Sequence, residues 1–168
     1  LMVSATFTGQ IISSFEDALS AFTVLTAYIP MLMDTGGNSG SQACVSIIRG
    51  ISLNEIEFRD LGRVVWKEIR VSVLCGVCLA IACFAKIIVV DMLLLKSESV
   101  TYLVAFVVCA TMAVTVCLAK IVGSTLPLLA KKLGFDPAVM ASPIITTIVD
   151  FLSLLVYFAF ATAMLGIG

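Results

Sequence analysis

The stretch that organises this chain is residues 28–42, which read YIPMLMDTGGNSGSQ. Apolar residues lead into it from Ala18 and leave it through Ile47, so the segment is typical of a membrane helix. Its middle nevertheless carries a carboxylate, an amide, hydroxyls and three glycines. Because a charge inside a bilayer is costly, Asp34 indicates a functional site that faces protein or water. Tight helix packing explains the glycines equally well, but it does not explain Asp34 or Asn38.

The composition sets the class of protein. Of 168 residues, 61% are hydrophobic and only 12% are charged, which is typical of a polytopic membrane protein surrounded by lipid. The net charge of -1 and the lack of a basic, aromatic patch argue against nucleic acid as a partner. The chain has no histidine, so the usual imidazole ligand and proton shuttle are missing. We expect no small-molecule substrate and no enzymatic activity.

The six cysteines all fall in apolar segments. Cys75 and Cys78 form a C-x-x-C motif, which raises the possibility of zinc or redox chemistry. Without a second motif or any histidine, the zinc interpretation is weak. We therefore expect the thiols to pack as small hydrophobic groups.

The hydropathy pattern predicts an all-α fold with about five transmembrane helices, in segments 1–15, 18–51, 71–90, 100–130 and 138–165. The second segment is too long for one straight crossing, so we expect a break near Pro30 or the glycines. Between segments two and three, Ser52–Arg70 is strongly polar, with basic residues at helical spacing. It predicts an interfacial amphipathic helix, or alternatively a charged loop. In segment four, we expect Lys120 to extend toward the nearer membrane surface.

The positive-inside rule sets the topology. Basic residues follow segment two and close segment four, at Lys131 and Lys132, whereas the turn after segment one has none. The connection after segment two and the connection after segment four are therefore expected in the cytoplasm. Five crossings of the plasma membrane then place the N-terminus inside and the C-terminus outside.

A second carboxylate, Asp150, lies within the apolar fifth segment. Ser142 and Thr146 share its helix face at a spacing of four, and Ser153 continues the stripe. The stripe predicts a water-lined path, although Ser and Thr hydroxyls in helices also bond back to their own carbonyls. Carboxylate, amide and hydroxyl oxygens are hard donors that favour Mg²⁺ or Ca²⁺. One Asp per subunit, doubled about a two-fold axis, suits a hydrated Mg²⁺.

These residues resemble the MgtE family of magnesium transporters. The resemblance begins with residues 30–42 and continues through Arg49-Gly50, residues 66–68 and 126–129, Asp136-Pro137-Ala138, and the segment around Asp150. It implies that residues 1–168 form a single transmembrane domain, without the cytosolic N-terminal and CBS domains that the family usually carries. It also implies a homodimer with a pore between the subunits, lined by the second and fifth helices, that conducts hydrated Mg²⁺ as the transported ion.

The resemblance also implies the roles of individual residues. Asp150 matches the pore carboxylate, and Thr146 falls on a carbonyl position of the fifth helix. The metal-site residues implied are Asp150, Asp34, Thr146, Asn38 and Gly37. The pore-lining residues implied are Ser41, Ser142, Thr35, Thr147 and Val45. The chain departs from the family at two positions. The family commonly has asparagine at the position of Ser142, and some members have asparagine at the position of Ser41.

Three alternatives remain open on sequence grounds. A sodium-coupled Mg²⁺ exchanger has the same ligand set as a passive pore. An intramembrane aspartyl protease also uses two membrane Asp residues, but the motifs of that class are absent around Asp34 and Asp150. A structural membrane scaffold would leave both carboxylates without a role.

Overall fold

The computed structural model describes residues 2–15, 20, 23–140 and 143–166. Over these residues the fold is all-α, as predicted. The five helices are α1 (Met2–Ser14), α2 (Ile29–Ser52), α3 (Leu61–Lys86), α4 (Tyr102–Lys132) and α5 (Pro143–Leu165). Short 3₁₀ segments precede α2, α3 and α5, at Thr23–Tyr28, Phe58–Asp60 and Pro137–Met140. A π-helical turn, Ile87–Leu94, extends α3.

Three helical stretches in the described residues are long and apolar enough to cross a membrane, which makes this a multi-pass membrane protein. They are Phe58–Leu94, Tyr102–Lys132 and Pro143–Leu165. The helix α2 is 24 residues long but too polar to meet the same criterion. The remaining two of the five predicted crossings stay predictions.

The predicted break near Pro30 is confirmed. A 3₁₀ segment ends at Tyr28, and α2 begins at Ile29 with Pro30 in its first turn. Proline is tolerated there because the first amides of a helix have no intrahelical partner. The glycines, by contrast, lie inside an uninterrupted helix.

The helix predicted over Ser52–Arg70 is not a separate element. Instead, α3 runs from Leu61 to Lys86 without a break at Arg70. The reason is a buried stripe with a spacing of four residues, Val64, Glu68, Ser72 and Gly76, which crosses that boundary. These residues face α4: Ser72 Oγ lies 3.3 Å from Cys117 Sγ, and a Cβ on Gly76 would lie 3.1 Å from the Ala113 carbonyl oxygen. One continuous interface therefore makes one continuous helix.

Glycines let α2 pack closely between α4 and α5. A Cβ on Gly36 would lie 2.7 Å from Thr115 Cγ2 of α4 and 2.9 Å from Val149 Cγ1 of α5. Gly40 lies against Gly123 of α4, backbone to backbone. The sequence interpretation of the glycines as packing residues is therefore correct for Gly36 and Gly40.

Contacts that involve charged side chains stabilise both ends of the bundle. At one end the Tyr28 hydroxyl donates to Asp91 Oδ2 at 2.8 Å, and Lys86 Nζ donates to both oxygens of Asp91 at 2.9 and 3.0 Å. At the opposite end Lys132 Nζ lies 4.0 Å from the centre of the Phe58 ring. That contact places the α2–α3 and α4–α5 connections at the same end of the molecule.

Candidate functional site

The α2 helix has two unlike faces. Its buried face consists of glycines, small residues and aliphatic side chains, including Gly36, Gly40 and Ile47. Its exposed face is mostly polar. The exposed residues between Asp34 and Arg49 recur every three or four positions: Asp34, Asn38, Gln42, Val45, Ser46 and Arg49. A helix that faces lipid has the opposite arrangement, since polar groups in hydrocarbon lack partners.

A cavity of about 170 Å³ opens between this face and α5. We call it the α2–α5 cavity. Its lining consists of Met33, Asp34, Gly37, Asn38, Thr146 and Asp150. The structure therefore brings together all five residues that the sequence predicted as a metal site. Their role as ligands stays a prediction.

Gly37 controls how closely the two helices meet at this cavity. A Cβ added there would lie 3.2 Å from Thr146 Cγ2 and 3.8 Å from Asp150 Oδ1. The glycine thus leaves the α2 backbone open toward the α5 carboxylate. Any side chain at this position would fill part of the cavity.

The chemistry of the α2–α5 cavity suits a hydrated hard cation. Two carboxylates, from Asp34 and Asp150, share one cavity, and none of the described residues that line it is basic. Like charges this close disfavour each other, and a cation relieves the repulsion. Within the described residues no group of three or more His, Cys, Asp or Glu converges to chelate a metal directly. Two carboxylates and room for several waters therefore favour an ion that keeps its hydration shell.

The hydroxyls of α5 largely bond to their own helix, which was the alternative considered for the stripe. Thr146 Oγ1 and Thr147 Oγ1 donate to the Pro143 carbonyl oxygen at 3.2 and 2.7 Å. Ser153 donates to the Val149 carbonyl oxygen at 2.6 Å and is buried against α2. The stripe that the sequence extended to Ser153 does not reach the cavity there, because Ser153 lies on the side that packs against Gly36.

The other predicted pore-lining residues are spread over neighbouring surfaces. Ser41 and Val45 line a groove of about 520 Å³ on the exposed face of α2, and the Ser41 hydroxyl has no hydrogen-bond partner among the described residues. Thr35 lines a different cavity, described below. Thr147 is half-buried. Ser142 lies outside the described residues.

A second cavity, of about 450 Å³, lies on the other side of Asp34, between α2, α3 and α4. We call it the lateral cavity. Sequence reasoning missed it. Its lining consists of Asp34, Thr35, Asn38, Ser39, Gln42, Cys75, Cys78, Leu79 and Lys120. The signals available in the sequence were the charge of Lys120 within an apolar segment and the pair of thiols at Cys75 and Cys78.

The expectation that Lys120 extends to the membrane surface is wrong. Its side chain is only 11% exposed, and its Nζ lies 3.9 Å from Glu68 Oε2 on α3. A buried acidic partner on the neighbouring helix holds the ammonium group inside the bundle. Cys75 and Cys78 are free thiols on this cavity, whereas Cys44, Cys83 and Cys109 are buried, as the packing interpretation expected.

Comparison with known proteins identifies relatives of this chain. A family profile described as "MgtE: Divalent cation transporter" matches residues 29–160. The magnesium transporter MgtE of Bacillus subtilis (strain 168) is 35% identical over 165 residues, which is 98% of this chain and 35% of that protein. The protein of the same name from Thermus thermophilus is 34% identical, with the same coverage. That from Enterococcus faecalis is 30% identical over 155 residues, 92% of this chain and 32% of that protein. The chain spans about a third of the length of these curated relatives.

Proposed function

Because the chain belongs to the MgtE family of divalent cation transporters, we propose that it forms the ion path of a magnesium transporter or channel. The observation that carries the proposal is the meeting of Asp34 and Asp150 in the α2–α5 cavity. The family is one of divalent cation transporters and not of proteases, so the aspartyl protease alternative is set aside.

The transported ion is Mg²⁺, moved with most of its water. Mg²⁺ dehydrates reluctantly and is usually held by one or two carboxylates through its waters. Asp34 and Asp150 accept hydrogen bonds from those waters, and the Asn38 amide oxygen adds a neutral acceptor. Gly37 keeps the passage open. Two carboxylates hold a divalent ion without chelating it fully, which allows it to leave.

A second copy of the chain completes the pore. The exposed polar face of α2, from Asp34 to Arg49, cannot face hydrocarbon without a large cost. A two-fold arrangement covers that face and doubles the carboxylates around one axis. The pore then runs between α2 and α5 of both subunits. Ser41 and Val45, in the groove on this face, lie on its wall.

The orientation follows from the charges and from the contact between Lys132 and Phe58. This contact brings the two basic connections to one end of the molecule, and the positive-inside rule assigns that end to the cytoplasm. We propose five crossings of the plasma membrane, with the N-terminus inside and the C-terminus outside.

The test is Mg²⁺ flux into liposomes that contain the purified chain, measured with an internal fluorescent indicator. Asp150→Ala should reduce flux at least tenfold, because it removes a carboxylate from the cavity. Glu98→Gln is the matched control, since Glu98 is exposed in the α3–α4 connection and should leave flux unchanged. Undiminished flux in Asp150→Ala would contradict the proposed path. Repeating the assay with and without a Na⁺ gradient separates a passive pore from a sodium-coupled exchanger.

A further inference from the structure

Lys120 is a buried positive charge beside the proposed ion path. It pairs with Glu68, whose side chain is only 10% exposed, across the α3–α4 interface. The separation of 3.9 Å between Nζ and Oε2 exceeds a hydrogen bond. The interaction is therefore mainly electrostatic, and the ammonium group keeps donors for water in the lateral cavity.

The lateral cavity connects this charge to the ion path. Lys120 and Asp34 both line it, and Asp34 and Asn38 also line the α2–α5 cavity. Asp34 thus has Asp150 on one side and the ammonium group on the other. The remaining polar groups of the lateral cavity are uncharged hydroxyls and amides, together with two thiols. Among the described residues that line the lateral cavity, Lys120 is therefore the one positive charge that shares this space with Asp34.

We propose that Lys120 is a fixed charge that weakens the binding of Mg²⁺ at Asp34 and so sets the affinity of the transporter for its ion. The inference rests on the proposed function. A divalent ion near Asp34 feels twice the repulsion that a monovalent ion feels. Conduction needs binding that is strong enough for entry but weak enough for release. Glu68 holds the ammonium group in place and offsets part of the cost of burying it.

The test exchanges the charges without breaking the pair. The double variant Glu68→Lys with Lys120→Glu keeps an ion pair but presents a carboxylate to the lateral cavity. Its KM for Mg²⁺ flux should fall about tenfold, since repulsion becomes attraction. The neutral pair Glu68→Gln with Lys120→Met should lower KM about threefold. The single variant Lys120→Arg keeps the charge and should keep the wild-type KM.

A purely structural ion pair gives a different result. The reversed pair and the neutral pair would then both keep the wild-type KM, and that outcome overturns the proposal. Asp150→Asn is measured alongside. Wild-type flux in Asp150→Asn contradicts the ion path itself, whereas an inactive Asp150→Asn together with an unchanged KM in both double variants contradicts only the role of Lys120.

A second measurement leaves the ion pair intact in case the double variants fail to fold. Cys78 is exposed and lines the lateral cavity. It can be modified in detergent with methanethiosulfonates that carry either a positive or a negative charge, with labelling checked by mass spectrometry before reconstitution. The positive group should raise KM and the negative group should lower it, while Cys78→Ser removes both effects. Shifts in the same direction, or none, overturn the proposal.

Discussion

Gly40 of α2 and Gly123 of α4 touch through their backbones: a Cβ added to Gly123 would overlap the carbonyl oxygen of Gly40. Glycine is required at such a crossing because no side chain fits between the two helices. This contact fixes the distance between α2 and α4. It therefore also sets how far apart α2 and α4 lie beside the lateral cavity, which both helices line.

Gly123→Ala should destabilise the protein by about 1–3 kcal/mol, as expected when a tightly packed interface is overfilled. Thermal unfolding of the purified protein in detergent measures the loss. Gly62→Ala is the control, because a Cβ there would meet nothing within 4 Å. An unfolding temperature for Gly123→Ala equal to that of Gly62→Ala would show that the helices separate without cost.

Gly37→Ala and Gly36→Ala should impair different properties of the protein, although the two positions are adjacent. A Cβ on Gly37 enters the α2–α5 cavity, 3.2 Å from Thr146 Cγ2, so it should lower Mg²⁺ flux several-fold with little change in stability. A Cβ on Gly36 meets Thr115 and Val149 at 2.7 and 2.9 Å, so it should mainly lower the unfolding temperature. Flux and thermal unfolding are measured on both variants, and the same response from both would refute the distinction.

Tyr28→Phe removes the hydroxyl that donates to Asp91, a charge-assisted hydrogen bond at the entrance to α2. We expect a loss of about 1.5–3 kcal/mol in stability, the usual contribution of a hydrogen bond to a charged group. Flux per folded protein should change little, because Tyr28 lies outside the lining of the α2–α5 cavity. Tyr102→Phe serves for comparison, since Tyr102 is 72% exposed. Equal unfolding temperatures for the two variants would show that the hydrogen bond from Tyr28 to Asp91 does not stabilise the protein.

Val45→Cys should form a cross-link between two copies of the chain in membranes, in a background where the native cysteines are replaced by serine. Val45 is 61% exposed on the polar face of α2 that the second copy is proposed to cover. Val73→Cys is the comparison: Val73 is 53% exposed, but it lies on α3 among other exposed apolar residues. Non-reducing gels after mild oxidation report the result. Cross-linking at residue 73 and not at residue 45 would place the subunit interface elsewhere.

The sequence indicated the two carboxylates for a physical reason, and their role as ligands stays a prediction. Asp34 and Asp150 are costly in apolar segments, so each must face another polar group, and the structure places both on one cavity. The break at Pro30 could also be predicted from the sequence, because the effect of proline on a helix is local.

The errors arose where the answer depended on which helices are neighbours. The basic residues of Ser52–Arg70 suggested a separate helix, but the buried stripe from Val64 to Gly76 that joins it to α3 has meaning only opposite α4. In the same way, the position of Lys120 in an apolar segment is typical of a lysine whose side chain extends to the membrane surface. Only the register of α3 against α4 shows that Glu68 lies beside it.

The polarity of α2 also bears on how the protein is made. On the scale of insertion by the translocon, one aspartate at a helix centre costs about 2.5–3.5 kcal/mol, and α2 carries Asn38 and Gln42 as well as Asp34. The ribosome releases α2 before α4 and α5, the helices that bury its glycines. We therefore expect α2 to insert stably only after α4 and α5 have been synthesised and can pack against it.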